Sequence, residues 1–497
     1  MSVRYLKINH EKYGYDLLAL FQSFYPESSW QLVFPGCREQ IIKEAENIGF
    51  FAEIIFEEGE NAPAEVKFFN PDLKGEADVF KYPGGLGADL KEGFGNWIYD
   101  VLSKKTDKTL PWGTLNGVRP TKLAYRQLEE GKSREEIKEY YLNERKTSPE
   151  KALLSIEIAR REREILKELH LTDGYSLYIG IPFCPTTCLY CSFTSYPIAR
   201  FAKEVDRYID CLLKELEFIS KRMRGRFLDT VYIGGGTPTT LEPAQLDRLL
   251  SFVEEHFDMS NVAEFTVEAG RADSITEEKL KVLKEHKVTR ISINPQTFNQ
   301  ETLDFIGRKA SVQQVLDIWP IARDLGFDNI NMDIILGLPG EGKEEVTRTI
   351  EKIKELKPDS LTVHSLAIKR ASKLSQWIIE NGKEMIKNSD EVMGIASKAA
   401  EEMGLLPYYL YRQKNMSGNL ENVGFASPGK FGIYNILIME ELQTIVAAGA
   451  GTVSKRVFYE NGNISKIERC ENCKEVPMYC ERISEMIERK EELYKLA

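Results

Sequence analysis

Three of the eight cysteines in the chain fall within eight residues, directly after an apolar run. Cys184, Cys188 and Cys191 form the Cys-x3-Cys-x2-Cys pattern of the segment YIGIPFCPTTCLYCSF, residues 178–193. Closely spaced thiolates are typical ligands of zinc and of iron–sulfur clusters. A structural zinc ion takes four ligands, but only three thiols lie here and the nearest histidine is His170. The pattern therefore favours a 4Fe-4S cluster that keeps one iron free for another molecule. The alternatives are a zinc ion completed by a distant fourth ligand and three unrelated buried thiols.

The cysteine segment belongs to a regular alternation of short β-rich runs and longer, charged helical ones. Strands that alternate with helices are parallel, as in a barrel or an open α/β sheet. Six such runs are fewer than the eight strands of a closed barrel. In both folds the loops that follow the strands build the functional site. The six runs cover residues 176–183, 229–235, 264–269, 290–296, 329–338 and 360–368.

Glycines and polar residues follow these runs, where a parallel sheet carries its site. The second run ends in Gly234-Gly235-Gly236-Thr237-Pro238. Glycine lets a ligand approach the backbone closely, and free N–H and C=O groups can bind a zwitterion. In the alternative interpretation, the glycines form an ordinary turn. Glu268 and Arg290 then form a salt bridge, Arg308 is a solvated charge on a helix, and Gln296 and Asp333 are turn residues. The polar residues are Glu268, Arg290, Gln296, Arg308 and Asp333.

The bulk composition excludes several classes of function. With 66 Lys and Arg against 77 Asp and Glu, the net charge of −11 argues against general nucleic-acid binding, which requires a basic surface. No apolar run approaches the roughly 20 residues that span a bilayer. The first residues lack the apolar core of a signal peptide. We therefore expect a cytoplasmic protein without a membrane span.

The regular part of the chain is flanked by two stretches of different character. Residues 1–170 alternate turn-rich and helical pieces without a catalytic motif, which predicts an accessory region of unknown role. Residues 171–375 contain the six runs. Residues 376–497 begin helical, pass through a Gly- and Asn-rich stretch and end in a charged helix. We predict three domains with these boundaries, the last of them covering the substrate.

Taken together, the cysteine pattern, the glycine-rich turn and the polar positions resemble the radical S-adenosyl-L-methionine (SAM) superfamily. The resemblance is strongest over residues 172–375 and continues to about residue 456. Within the superfamily it points to the oxygen-independent coproporphyrinogen III oxidase group, and there to the HemZ branch of coproporphyrinogen dehydrogenases. It implies an α/β fold: an incomplete (β/α)6 radical SAM barrel with an N-terminal accessory region and a C-terminal α+β region.

The resemblance also implies the cofactors and their ligands. Cys184, Cys188 and Cys191 would bind a 4Fe-4S cluster, and SAM would chelate its fourth iron. The remaining implied assignments are catalytic positions at Tyr178 and Gln296, and SAM-binding positions at Tyr190, Gly235, Gly236, Thr237, Glu268, Arg308 and Asp333.

The activity that the resemblance implies is an oxidative decarboxylation in haem biosynthesis. A 5′-deoxyadenosyl radical would take a hydrogen from a propionate of coproporphyrinogen III, and loss of carbon dioxide and one electron would leave a vinyl group. Two such events would give protoporphyrinogen IX. The implied partners are a small tetrapyrrole substrate and an electron donor such as flavodoxin or ferredoxin. The alternatives are a haem chaperone of the same family and a radical SAM porphyrin methylation or ring opening.

The chain departs from its relatives at three places. Most of them have His where this chain has Gly180. The established oxidase has a fourth cysteine at the position of Phe193, where the haem-chaperone branch also has Phe. That branch, however, carries a His-Asn pair where this sequence has Tyr434-Asn435. Phe193 points away from the oxidase, whereas the absence of the His-Asn pair points away from the haem chaperone.

Further residues could serve a tetracarboxylate macrocycle or a second metal. Cationic anchors and stacking rings are predicted in the C-terminal part, with a half-buried strand as the equal alternative. His364 could face the cavity, although a lone histidine is more often structural. The second group of thiols is interpreted as structural, because no fourth ligand is visible. The anchors are Lys369, Arg370, Arg412 and Lys414, the rings are Tyr408, Tyr409 and Tyr411, and the thiols are Cys470, Cys473 and Cys480.

Overall fold

In the computed structural model the chain forms two compact units. The first unit contains Met1–Ile156 and Gly418–Leu420, and the second contains Glu157–Ser417 and Glu421–Ala497. The boundaries expected at residues 170 and 375 stay predictions. The structure describes residues 3–9, 11–56, 64–69, 77–83, 90–115, 117, 119–369, 372–382, 385–412 and 416–495. The predicted anchors Arg370 and Lys414 lie outside these residues.

The first unit contains a five-stranded sheet in the order β2-β1-β3-β4-β5. On β3 and β4 buried residues alternate with half-buried ones, and on β4 the buried residues are Ala64, Val66 and Phe68. This alternation is typical of a sheet with one covered face. The strands are β1 (Val3–Ile8), β2 (Ser29–Val33), β3 (Ala52–Phe56), β4 (Ala64–Phe69) and β5 (Ala77–Lys81). The helices are α1 (Glu11–Phe24), α2 (Glu39–Ile48), α3 (Leu90–Thr106), α4 (Thr121–Glu129) and α5 (Arg134–Glu139), and α6 (Pro149–Leu166) runs across the unit boundary.

The second unit is built on one sheet of eleven strands. The strands of the unit are β6 (Gly174–Ile181), β7 (Phe183–Cys184), β8 (Tyr196–Pro197), β9 (Phe227–Gly235), β10 (Glu264–Gly270), β11 (Arg290–Ile293), β12 (Ile330–Leu336), β13 (Ser360–Ser365), β14 (Leu406–Tyr411), β15 (Asn422–Ala426), β16 (Thr444–Ala448), β17 (Val453–Glu460) and β18 (Asn463–Glu471). The helices are α7 (Ile198–Phe201), α8 (Val205–Arg222), α9 (Pro243–His256), α10 (Glu277–Glu285), α11 (Gln300–Phe305), α12 (Val312–Asp324), α13 (Lys343–Leu356), α14 (Lys373–Asn381), α15 (Asp390–Glu402), α16 (Ile433–Glu440), α17 (Val476–Glu481) and α18 (Ile483–Leu493).

Six parallel strands form the centre of this sheet and confirm the six predicted runs. Their order is β6-β9-β10-β11-β12-β13, so each strand pairs with the next one along the chain. All four residues of β11 are buried, as expected when helices cover both faces of a parallel sheet. The carboxyl ends of the six strands therefore meet at one edge.

The C-terminal part of the chain extends the same sheet at both sides. β16 pairs in parallel with β6, with Thr444 opposite Tyr175, and β15 pairs antiparallel with β13. All five residues of β15 and of β16 are buried. If β6 or β13 were an edge strand, its backbone groups on one side would be unpaired. The pairing of β6 with β16 and of β13 with β15 satisfies them.

Several helices of the second unit begin at a side-chain cap. The hydroxyl oxygens of Thr276, Ser311 and Ser389 accept hydrogen bonds from backbone amides in the first turns of α10, α12 and α15. These caps satisfy amides that have no partner inside the helix. In the described part of the chain, no helix combines the length and the apolarity needed to cross a membrane.

The second group of thiols lies around α8, α17 and β18. Cys480 of α17 contacts Cys211 of α8, whose Sγ donates to the Cys480 carbonyl at 3.7 Å. Cys470 pairs with Ser454 across β17 and β18, and Arg482 donates to Cys473 Sγ at 3.8 Å. The interpretation of these thiols as structural stays a prediction.

Candidate active site

A cavity of about 330 Å3 opens at the carboxyl-terminal side of the central strands. Apart from Tyr178, every residue predicted to be catalytic, to bind SAM or to hold the cluster lines it. These lining residues are Cys184, Cys188, Tyr190, Cys191, Gly235, Gly236, Thr237, Glu268, Gln296, Arg308 and Asp333. Residues from five strands and their loops are thus brought to one place, as parallel strands allow.

The loop that carries the cysteines is bound to the glycine-rich turn by two backbone hydrogen bonds. The Gly236 amide donates to the Ile181 carbonyl at 2.8 Å, and the Thr237 amide donates to the Phe183 carbonyl at 2.7 Å. All three cysteines are free thiols. Cys184 is therefore held against the turn that follows β9.

Burial of the thiols disfavours their charged form in the absence of a metal. It raises the pKa of Cys184 to about 11, although the hydrogen bond from Thr237 acts in the opposite direction. Burial also raises the pKa of Cys191, against hydrogen bonds from the Phe193 backbone and from Ser195. Binding of a metal or cluster would release these protons, since thiolates are the ligands.

The glycine-rich turn leaves no room for a side chain on its cysteine side. Gly235 has φ +109°, a conformation that L side chains rarely adopt. A Cβ at Gly236 would lie 2.5 Å from the Phe183 carbonyl oxygen and 2.9 Å from that of Ile181. The turn therefore packs closely against the cysteine loop, and Gly235 and Gly236 also line the cavity.

Two carboxyl groups in the cavity wall, those of Glu268 and Asp333, are in different electrostatic settings. Burial raises the pKa of Glu268 to about 7, even though the Tyr232 hydroxyl donates to it. The pKa of Asp333 stays below its ordinary value, because hydrogen bonds from His364 and Asn331 outweigh the effect of burial. Asn331 Nδ2 donates to Asp333 Oδ1 at 2.6 Å. The cavity therefore offers one carboxylate and one group that titrates near neutral pH.

Two uncharged groups in the cavity wall lack hydrogen-bond partners. Gln296 Oε1 and Ser292 Oγ are buried and have no partner among the residues that the structure describes. Gln296 also has φ +66°, which is uncommon for a residue other than glycine. Its backbone is nevertheless held by hydrogen bonds with Asp333 and Ile335, both 2.9 Å long. A buried polar atom without a partner is costly, so these atoms are suited to bind a polar ligand.

Three tyrosine rings form a stack at the cavity wall. Tyr178 stacks on Tyr232 at 6.0 Å and on Tyr434 at 5.9 Å between ring centroids, and Tyr232 lies 4.4 Å from Tyr434. Of the three rings, only Tyr232 lines the cavity. Tyr178 instead lies next to the glycine-rich turn, with its hydroxyl 3.3 Å from the ideal Cβ position of Gly235.

Arg271 and Tyr232 also line the cavity, although neither was predicted from the sequence as a site residue. Arg271 directly follows the last residue of β10 and is only 4% exposed. Its position after a predicted strand was the signal that could have found it. Tyr232 lies inside β9 and is two residues from Gly234, so strand alternation places both on the same face.

The predicted substrate anchors and rings are only partly in the cavity. Tyr409 and Tyr411 line the cavity, and their ring centroids are 6.3 Å apart in a stacked arrangement. His364 and Asn435 line it as well. Lys369, Arg412 and Tyr408 are not among its lining residues in the described part of the chain. Arg412 is buried, which lowers its pKa to about 10.

The missing histidine at position 180 has a structural counterpart. A Cβ at Gly180 would lie 2.5 Å from Thr452 Cγ2 and 3.4 Å from the Ala448 carbonyl oxygen. Thr452 itself is buried, and its hydroxyl donates to the Gly449 carbonyl at 2.8 Å. In this chain, the methyl group of Thr452 occupies the space that a side chain at position 180 would need.

We expect Gly180→Ala to lower the free energy of unfolding by about 1–3 kcal/mol, the usual cost of overpacking a core. Denaturant titration measures the loss. Thr452→Ser removes the clashing methyl and keeps the hydroxyl, so the double variant should regain most of the stability relative to Thr452→Ser alone. An equal loss from Gly180→Ala in both backgrounds would contradict the contact.

The donor set of the cavity fits an iron–sulfur cluster with SAM. Three free thiols lie on one loop, the glycine-rich turn presents bare backbone, and Gln296 and Ser292 carry unpartnered oxygens. Among the described residues, no three or more His, Cys, Asp and Glu side chains are grouped to hold a single metal ion. A cubane has a different requirement, since each thiolate binds its own iron.

Comparison with known proteins assigns the chain to a family. Residues 178–353 match the model of the radical SAM superfamily. The predicted cofactors, a 4Fe-4S cluster and SAM, are those of this superfamily and hence of this chain. The matched residues begin at Tyr178 of β6 and end within α13.

Individual relatives narrow the assignment. The chain is 40% identical, over 85% of its length and 83% of the relative's, to the oxygen-independent coproporphyrinogen-III oxidase-like protein HemZ of Bacillus subtilis. It is 40% identical to the heme chaperone HemW of Lactococcus lactis over 39% of the chain and 49% of that protein. It is 32% identical to the oxygen-independent coproporphyrinogen III oxidase of Salmonella typhimurium over 39% of the chain and 42% of that protein. The chain therefore belongs to the oxygen-independent coproporphyrinogen III oxidase-like family of the radical SAM superfamily.

Proposed function

We propose that the chain is a radical SAM enzyme that oxidatively decarboxylates propionate side chains of a tetrapyrrole, with coproporphyrinogen III as substrate and protoporphyrinogen IX as product. The observation that carries the proposal is a single cavity that combines three free thiols, a polar set suited to SAM and an aromatic wall. That wall consists of Tyr190, Tyr232, Tyr409 and Tyr411. The long match to a coproporphyrinogen-III oxidase-like relative supports it.

In this proposal the residues of the cavity bind and orient the cofactors. Cys184, Cys188 and Cys191 hold the cluster. When bound, the cluster and SAM supply one-electron hydrogen-abstraction chemistry. The backbone of the glycine-rich turn and the side chains of Glu268 and Asp333 take the charged groups of SAM. The fixed positions of these groups would bring substrate and cofactor together.

The remaining wall residues suit a flat, anionic substrate. Tyrosine rings bury large apolar areas and stack on flat partners. Arg290 lines the floor, is 3% exposed and donates to two uncharged partners, Ser360 Oγ at 2.7 Å and Asn329 Oδ1 at 3.2 Å. A forked guanidinium in a buried site favours carboxylates, so Arg290 is the proposed attractor for a propionate.

An anaerobic assay tests the proposed activity directly. The reconstituted protein is incubated with dithionite, SAM and coproporphyrinogen III, and the products are oxidised and examined by fluorescence and mass spectrometry. Loss of two carbon dioxide units together with 5′-deoxyadenosine supports the proposal. Release of 5′-deoxyadenosine with methylated or linear tetrapyrroles would replace it with another radical SAM reaction on the same scaffold.

A haem chaperone is the second candidate function. It is favoured by the HemW relative and by Phe193, which is 76% exposed at the rim of the cavity beside Cys191. A titration with haem followed by absorption, in the same preparation, separates the two functions. Stable haem binding without decarboxylation supports the chaperone, whereas turnover of coproporphyrinogen III supports the enzyme.

The titration of Glu268 predicts a pH dependence of SAM binding. Because burial raises the pKa of Glu268 to about 7, this group is mostly protonated at pH 6 and mostly ionised at pH 8. The ammonium of SAM favours the ionised form, so the contribution of Glu268 to affinity should be present above pH 7 and lost below it. We expect the ratio of SAM affinities, wild type over Glu268→Gln, to grow roughly tenfold from pH 6 to pH 8.

Equilibrium dialysis at several pH values measures this ratio. Comparing the two proteins cancels the titration of SAM itself, since the ligand is the same in both. A ratio that does not change between pH 6 and pH 8 would show that Glu268 does not bind the ammonium.

A further inference from the structure

Each of the three cysteine sulfurs has a hydrogen-bond partner that is not another cysteine. Thr237 Oγ1 donates to Cys184 Sγ at 3.4 Å, and Ser195 Oγ lies 3.9 Å from Cys191 Sγ. Arg271 Nη1 donates to Cys188 Sγ at 3.8 Å. Among these three partners only Arg271 carries a charge, and that charge is buried.

The guanidinium of Arg271 is held from two sides. Its Nε and Nη2 atoms donate to the two carboxylate oxygens of Asp273 at 2.9 and 2.6 Å. Its Nη1 atom donates to the carbonyl and the hydroxyl of Thr186 at 2.8 and 2.9 Å. Thr186 lies between Cys184 and Cys188. A forked pair of this kind leaves the guanidinium little freedom, so Nη1 is fixed at the cysteine loop.

This arrangement has an electrostatic consequence for a cluster held by the loop. Reduction adds one electron, and therefore one negative charge, next to Cys188. A buried positive charge and hydrogen bonds to the sulfurs stabilise that added charge and raise the reduction potential. Asp273 opposes the effect, but it binds the edge of the guanidinium formed by Nε and Nη2, while Nη1 faces Cys188.

We propose that Arg271 is a positioning residue that holds the cysteine loop through Thr186 and sets the reduction potential of the cluster, with Asp273 as its counter-charge. This inference rests on the proposed ligation by Cys184, Cys188 and Cys191. One electron from the donor reduces the cluster, and no bond of the protein forms or breaks in that step.

The test compares the wild type with Arg271→Gln, Arg271→Lys and Asp273→Asn, each reconstituted anaerobically with iron and sulfide. Iron content and visible absorption are measured first. A wild type that takes up no cluster would refute the proposed ligation, independently of Arg271. The midpoint potential is then measured without SAM, by titration with dithionite followed by electron paramagnetic resonance.

The charge variants should shift the potential in opposite directions. Arg271→Gln removes the positive charge and should lower it. Asp273→Asn leaves Arg271 uncompensated and should raise it. Arg271→Lys, which keeps the charge without the fork, should lie between the wild type and Arg271→Gln. A merely structural residue would change the cluster content but would not produce opposite shifts.

Several outcomes would overturn the inference. Potentials of fully loaded Arg271→Gln and Asp273→Asn that equal the wild type, or that shift in the same direction, would do so. If Arg271→Gln takes up no cluster, the inference is overturned by an Asp273→Asn protein whose midpoint potential equals or lies below that of the wild type. Loss of the cluster from all three variants, with the wild type loaded, would leave Arg271 a structural role alone.

Discussion

Replacing Cys184, Cys188 or Cys191 by alanine is expected to remove the iron–sulfur cluster and all reductive cleavage of SAM. In the proposed ligation each of the three thiols of the loop is needed, because the fourth iron of the cubane would bind SAM. Removing one thiolate leaves a second iron without a protein ligand. Cys184 and Cys188 are 9% and 6% exposed, so solvent is a poor substitute ligand at these positions.

Iron analysis, the broad absorption of the cluster in the visible blue and 5′-deoxyadenosine release measure the result. Cys470→Ala is the matched control, since Cys470 is also a buried thiol but lies in β18. It should keep both the cluster and SAM cleavage. Iron content and cleavage that survive in any of the three variants would refute the ligand assignment.

Gly236→Ala is expected to disable SAM binding by a purely steric route. The added Cβ would meet the Phe183 carbonyl oxygen at 2.5 Å, that of Ile181 at 2.9 Å and the Phe183 carbonyl carbon at 3.0 Å. All three are backbone atoms, which cannot turn away as a side chain can. Either the cysteine loop or the glycine-rich turn must move, and both build the proposed site.

We expect Gly236→Ala to weaken SAM binding at least tenfold, which corresponds to ~1.4 kcal/mol, and to lower the free energy of unfolding by about 1–3 kcal/mol. Equilibrium dialysis and denaturant titration measure the two effects. Gly394→Ala is the control, because no described atom lies within 4 Å of its added Cβ. Gly394 lies within α15, so alanine there should stabilise by roughly 1 kcal/mol. A Gly236→Ala protein that binds SAM as the wild type does would contradict the clash.

The structure explains why position 180 is a glycine in this chain. The family resemblance predicts a histidine at position 180, whereas the structure shows that Thr452 Cγ2 occupies the space that a side chain there would need. Thr452 lies on the turn between β16 and β17 and is far from Gly180 in sequence. A compensation of this kind depends on the pairing of β16 with β6, which no local pattern in the sequence indicates.

Local pattern alone was sufficient for the centre of the sheet and for the residues at its carboxyl edge. The six runs could be recognised because parallel strands buried on both faces are continuously apolar. Cys184, Gly236, Glu268 and Asp333 could be placed at one site because the carboxyl ends of such strands converge. The same reasoning could not place Tyr409, Tyr434 and Asn435 at the site. Tyr409 lies in β14, which joins the sheet by antiparallel pairing, and Tyr434 and Asn435 lie in α16, which packs against the sheet.

What the sequence determined by itself is therefore the chemistry: three thiols on one loop, a bare glycine turn and charged groups after successive strands. Residue type and local spacing carry this information, because each strand and its loop are contiguous in the chain. What only the tertiary structure decided is the environment of that chemistry. The charge of Arg271 beside Cys188, the hydrogen bond from the Tyr232 hydroxyl to Glu268 and the methyl of Thr452 beside Gly180 are contacts between distant segments. Such contacts depend on strand order and register, which follow from packing the whole chain rather than from any segment of it.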